Sequence, residues 1–75
     1  MTLYELWQEI ASGPSEQQEY RYLHEIADAF VDTPRGLAQV DSCRWEDGCV
    51  FAHVTFADGS SARYSAAALN YRGAA

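Results

Sequence analysis

The chain is expected to fold as an α+β domain, with two N-terminal helices packed on one face of a three-stranded antiparallel β-meander. Three observations carry that expectation. Apolar residues recur with a period near 3.6 up to residue 32 and with a period of 2 from residue 37 onward. Breaks fall at Gly13-Pro14 and at Thr33-Pro34-Arg35-Gly36. Two Asp-Gly pairs, Asp47-Gly48 and Asp58-Gly59, separate the alternating runs where hairpin turns belong.

Thr2 and Glu5 have the spacing of a capping box, in which hydroxyl and carboxylate satisfy free N–H groups at a helix start. Leu3, Leu6, Trp7 and Ile10 then follow helical spacing until Gly13 and Pro14 end the helix. Ser15 and Gln18 repeat the capping pattern. Tyr20, Leu23, Ile26, Ala27, Phe30 and Val31 form the stripe of a longer second helix, reaching about Asp32. Strands are expected over 37–46, 49–56 and 60–65, with a last short helical turn between Ser65 and Asn70.

The turns set the register. Read as three-residue loops with glycine in the left-handed position, Glu46-Asp47-Gly48 and Ala57-Asp58-Gly59 place Trp45 opposite Cys49 and Phe56 opposite Ser60. Ala38, Val40, Val50, Ala52, Val54, Phe56, Ala62 and Tyr64 then share one face, which would receive the helices. Ser42 and Arg44 near the open end of that face fit it poorly. Asp41, Cys43, Trp45, Cys49, Phe51, His53, Thr55, Arg63 and Ser65 share the other. A two-residue Asp47-Gly48 loop would instead move Cys43 and Trp45 to the core.

Length and charge narrow the function. At 75 residues and 8.4 kDa the chain is expected to be a single domain, 1–75, with a small core. It carries 11 acidic residues against five arginines and no lysine, for a net charge of −6. That disfavours direct nucleic-acid binding and anionic membranes, which need clustered positive charge. It favours a basic partner, such as a nucleic-acid-binding protein. No apolar run approaches the roughly 20 residues of a membrane span, and no signal-peptide pattern opens the chain. A cytoplasmic location with reduced Cys43 and Cys49 is the expectation.

Two sets of residues are candidates for partner binding. The acidic set is Glu5 and Glu9, an i, i+4 pair, with Glu25, Asp28 and Asp32 at i, i+3 and i+7 on one helix face. Against a solvated face, the missing lysines argue for an anionic strip. The sheet set is Asp41, Trp45, Phe51, His53 and Arg63, aromatic anchors among polar groups.

Chemistry finds less support. Cys43, Cys49, His24 and His53 lack the short paired spacing of structural zinc sites. Cys43, His53 and Asp41 superficially match a nucleophile, base and orienter, but a flat sheet offers no oxyanion hole. No phosphate-binding loop or dinucleotide fingerprint occurs. No enzyme activity, metal or cofactor is expected.

In its small size, acidic charge and mixed helix–hairpin layout, the whole chain resembles the small phage and mobile-element inhibitors known as anti-CRISPR proteins. The resemblance implies binding to a CRISPR surveillance complex or its nuclease, with acidic side chains on a surface meant for guide RNA or target DNA. The alternative is a host accessory or regulatory module that forms a homodimer through its sheet face.

Overall fold

The computed structural model describes residues 1–75 and shows an α+β architecture with two helices over one face of a five-stranded antiparallel sheet. Helix α1 spans Leu3–Ala11 and helix α2 spans Ser15–Arg21, the latter running directly into a π-helical turn, Tyr22–Ile26. The strands are β1 (Phe30–Thr33), β2 (Gly36–Glu46), β3 (Cys49–Thr55), β4 (Ser61–Ser65) and β5 (Asn70–Gly73). Their spatial order is β4-β3-β2-β1-β5. A 3₁₀ turn, Ala66–Ala68, carries the chain from one edge of the sheet to the other.

The N-terminus folds as its spacing predicts. The Thr2 hydroxyl accepts from the Glu5 N–H at 3.1 Å, and the Glu5 carboxylate accepts from the Thr2 N–H at 2.8 Å. Leu3, Leu6 and Ile10 are buried on one face of α1. The second capping pattern does not form. Helix α2 has Pro14 at its N-cap and no side-chain cap. Gln18 instead donates to the Ala11 and Gly13 carbonyls, closing the end of α1.

The three-stranded meander is corrected to five strands, and the second helix stops well short of Asp32. The π turn closes with Ala27 N–H donating to the Tyr22 carbonyl at 2.9 Å, and Ala27 is already extended. Asp28 then takes a left-handed φ of +63°, a conformation that aspartate tolerates better than most residues. Beyond it, Phe30, Val31 and Thr33 have the bulky and branched side chains that suit a pleated strand. Thr33-Pro34-Arg35-Gly36 is therefore a hairpin turn joining β1 to β2, with Thr33 paired to Gly36. The short β5 adds to the outer side of β1, with Tyr71 opposite Val31. Its free edge is partly covered by the N-terminus, where Tyr71 N–H donates to the Met1 carbonyl.

The β2–β3 register is divided. Val40 opposes Val54, as three-residue loops require, but Ser42 opposes His53 and Glu46 opposes Cys49. The loop is Asp47-Gly48 alone, with φ of +49° and +82°, the double left-handed turn preferred by two-residue hairpins. The extra residue sits in a β-bulge at Asp41 rather than in the turn. One bulge accounts for both outcomes. Ala38, Val40, Val50, Ala52, Val54 and Phe56 are buried beneath the helices, with Ala62 and Tyr64 packed at the margin. Cys43 and Trp45, expected on the outer face, are turned to the helix side, and Ser42 and Arg44 are turned out. Cys43 is buried, whereas Trp45 projects past the end of the helical layer and stays 62% exposed.

Two tyrosines secure the junction between the layers. The closing pair Glu46–Cys49 directs alternate β2 N–H groups toward β3 and the others away from it. Cys43 N–H points away, past the end of β1, and donates to the Tyr22 hydroxyl at 2.9 Å. Tyr71 donates its hydroxyl to the Glu25 carbonyl in the π turn at 2.7 Å. Bulge and π turn each leave a backbone group without a ladder partner, and each is satisfied by a phenol.

Candidate functional site

The two surfaces differ most in charge. The helical segment, residues 1–26, holds Glu5, Glu9, Glu16, Glu19 and Glu25 against Arg21 alone. Residues 27–75 hold six carboxylates against four arginines. The helical layer is therefore the strongly anionic side of the molecule.

Arg21 concentrates its pairing on one spot. Its Nε donates to Glu25 Oε2 at 2.7 Å and its Nη2 to Glu25 Oε1 at 3.1 Å, a bidentate fork. It also reaches Glu9 at 3.3 Å. The guanidinium holds the Glu25 carboxyl below the usual range, overcoming the opposing effect of partial burial. Glu5 is held low chiefly by the Thr2 backbone N–H of its capping box. Glu16 and Glu19 are exposed on α2 and form no ion pair. Between and beside them, Tyr20 and Leu23 are 65% and 56% exposed, and the Tyr20 ring lies 4.1 Å from that of His24. Hydrophobic periodicity places Tyr20 and Leu23 in the core. The structure leaves them outside, and Ile26, the last residue of the π turn, is the one this segment buries. Their position one turn apart, next to two glutamates, makes a small apolar centre with an acidic border.

The expected acidic strip is not one helix face. Glu5 and Glu9 lie on α1 and Glu25 on the π turn, but Asp28 lies in the following loop. Asp32 lies on β1, where Arg72 Nη1 donates to it at 3.3 Å. The i, i+3, i+7 spacing has no meaning once the helix ends at Ile26.

The outer sheet face brings together most of the second set. His53 pairs with Arg63 across β3 and β4. Asp41, His53, Ser61 and Arg63 line one shallow depression. The Asp41 carboxylate accepts from the Thr55 hydroxyl at 2.7 Å. His53 Nε2 lies 2.8 Å from Glu46 Oε1, and this contact holds the Glu46 carboxyl low. The Arg63 guanidinium stacks 3.7 Å above the centre of the Phe51 ring, an arrangement worth about 0.5–1 kcal/mol at an exposed site. Phe51 is thereby half-covered. Trp45 does not join this group, because the bulge turns it to the opposite side.

The Cys43–His53–Asp41 constellation is likewise not assembled. Cys43 lies in the core, where burial pushes its thiol up to about 12, and Cys49 is exposed on the outer side. No three His, Cys, Asp or Glu side chains gather in a group that could hold a metal ion. No helix is long and apolar enough to cross a membrane.

One apolar feature of the outer side escapes periodicity altogether. Phe30, Leu37, Gln39, Thr55, Phe56 and Ala57 surround a recess of about 170 Å³ where β1, β2 and β3 end. Phe30 comes from a segment that hydrophobic spacing assigns to a helix, Leu37 from the start of one expected strand, and Thr55 and Phe56 from the end of another.

No protein-family model matches the chain, and no curated protein or solved structure matches it either.

Proposed function

We propose that this chain is a small acidic inhibitor that binds a basic, nucleic-acid-handling protein through its helical layer. Within that class the reading is an anti-CRISPR-type protein, acting on a CRISPR effector or surveillance complex inside a bacterial host. The observation that carries it is the uneven charge. Five glutamates face one arginine on the helices, and two of the glutamates lie beside exposed Tyr20 at the end of α2 and exposed Leu23 in the π turn.

A positively charged groove built for phosphates attracts such a surface from a distance, and complementary potentials raise association rates steeply at low salt. A tyrosine and a leucine then supply the desolvated contact that charge alone does not, since exposed glutamates remain well hydrated in the complex. Occupying the groove would block guide or target binding, or the docking of a nuclease.

The test is inhibition and binding against purified effector–guide RNA complexes of several CRISPR types, followed by surface plasmon resonance. Wild type should bind at least one complex and suppress target-DNA binding or cleavage. Glu16→Lys with Glu19→Lys should slow association at least tenfold at low salt. Tyr20→Ala should chiefly speed dissociation. Failure to bind any effector, or an association rate that ignores both salt and the double charge reversal, would overturn the proposal.

A further inference from the structure

We infer that the groove between α1 and the end of α2 receives an arginine side chain of the basic partner. The inference deepens the inhibitor reading and rests on it for the class of partner; what it adds is the chemistry of the contact. The Gly13-Pro14 break turns the chain so that α2 lies beside α1. Between them is a recess of about 270 Å³. Trp7, Ile10, Tyr22 and Ile26 give it apolar walls, and Gln18 and Glu19 are its polar lining. Cofactor-sized pockets hold roughly 300–1,000 Å³, so this recess is on the scale of one long side chain.

The walls are held in place before anything enters. Ile10 and Ile26 are buried. The Tyr22 ring is fixed by its hydroxyl, which accepts from the Cys43 N–H. The Gln18 amide donates to the Ala11 and Gly13 carbonyls, which pins the helices at their junction and leaves its Oε1 as an acceptor. Trp7 is half-buried, so part of its indole remains accessible. A preformed site loses little freedom when it is filled.

Charge selects the occupant. Glu19 is exposed and forms no ion pair. Arg21, the one basic side chain of α1 and α2, is engaged by Glu9 and Glu25. Two residues from Glu19, it projects to the other side of α2 and does not line the recess. Met1, with the N-terminal amine, lies beside Glu5, Gln8 and Glu9 around a separate depression. The recess therefore combines aromatic walls with a carboxylate that no cation of the chain neutralises. A guanidinium meets both: its flat face stacks on an indole while its N–H groups bond to a carboxylate. Its methylene stem covers the isoleucines. A lysine ammonium is more strongly hydrated and does not stack. A neutral aliphatic chain would fill the space but desolvate Glu19 without pairing it, and an acidic one is repelled. Glu19 also adjoins exposed Tyr20, so the groove is continuous with the surface proposed to meet the partner.

The probe is acetyl-arginine methylamide, titrated into the full chain at fixed ionic strength and followed by amide and indole NMR shifts. Saturable shifts should centre on the Trp7 indole N–H and on residues 18, 19 and 22, with a dissociation constant on the order of 1–10 mM. Acetyl-lysine methylamide should bind about threefold more weakly, and uncharged acetyl-norleucine methylamide should give no saturable shift there. Glu19→Gln, at an exposed position, should weaken the arginine derivative about threefold to fivefold while near-ultraviolet circular dichroism stays native. Trp7→Leu, which keeps an apolar wall, should weaken it about threefold. Shifts that do not saturate or that centre elsewhere, equal binding of the lysine or norleucine derivative, or unchanged affinity in Glu19→Gln would overturn the inference. Arginine binding by a chain that binds no CRISPR effector would leave the groove standing and remove the inhibitor reading. Effector binding by a chain that takes up no arginine derivative would do the opposite.

Discussion

Tyr22→Phe removes one oxygen atom and tests the junction on which both layers depend. The Tyr22 hydroxyl is the acceptor for the Cys43 N–H, 2.9 Å away, in a partly buried site just beyond the Asp41 bulge. The alternating ladder points this N–H away from β3, and β1 has already ended, so no carbonyl replaces the phenol. An unsatisfied buried donor costs about 1–3 kcal/mol. Tyr22 is half-buried, so water reaches the site in part and the middle of that range, about 2 kcal/mol, applies. In a domain of this size each kcal/mol shifts Tm by about 4–8 °C. The expected loss is therefore roughly 8–16 °C, measured by thermal circular dichroism. Urea unfolding should show a lower midpoint with an unchanged slope. Amide exchange at Cys43 should accelerate more than at Ala52, its partner across the strand pair. A Tm within about 2 °C of wild type would mean that the bulge relaxes without the phenol, and the account of the junction would fall.

Two other outcomes follow from ionisation. Glu25, Glu46, Glu5 and Asp58 are all held below their ordinary values of 4.5 and 3.8, by Arg21, His53, Thr2 and Ser60 respectively. A carboxylate with a lowered folded pKa stabilises the fold above its unfolded value and loses that contribution as pH falls through the folded one. Tm should therefore fall between pH 5 and pH 3, less steeply in Glu25→Gln; a flat or rising Tm would contradict the pairing described. The two thiols should also separate. With Cys43 buried and pushed up to about 12, a disulfide reagent at pH 8 should titrate Cys49 alone in the native chain and Cys43 only after unfolding; equal rates would place Cys43 at the surface.

Tertiary geometry redistributes the candidate residues. Of the acidic set, Glu5 caps a helix, Glu9 and Glu25 share Arg21, and Asp32 pairs with Arg72. Of the sheet set, Asp41, His53 and Arg63 meet as expected, whereas Phe51 lies under Arg63 and Trp45 is on the other side. Several of the apolar residues left exposed are ones whose pattern says core. Tyr20 and Leu23 have helical spacing, and Phe30 belongs to the same apparent stripe. Apolar spacing records which residues could be buried together. It does not record whether enough partner surface exists to bury them, and in 75 residues there is too little.

What residue order settles here is local. Thr2 and Glu5, three apart ahead of an apolar helical stripe, make a helix start. Asp-Gly makes a tight turn. A run such as Val50, Ala52, Val54 puts one face of a strand in the core. These outcomes depend on contacts within a few residues, and they appear as expected. What had to await the assembled fold is the destiny of residues 27–33 and 70–73, and of the chain beyond Asp41. A short strand has no stability until a neighbour supplies its hydrogen bonds, so β1 exists only between β2 and β5, and β5 only through its pairing with β1. The bulge is likewise a compromise between the Asp47-Gly48 turn and the Val40–Val54 pairing. A one-residue shift there sends Cys43 inward and Arg44 outward, because successive side chains on a strand face opposite ways.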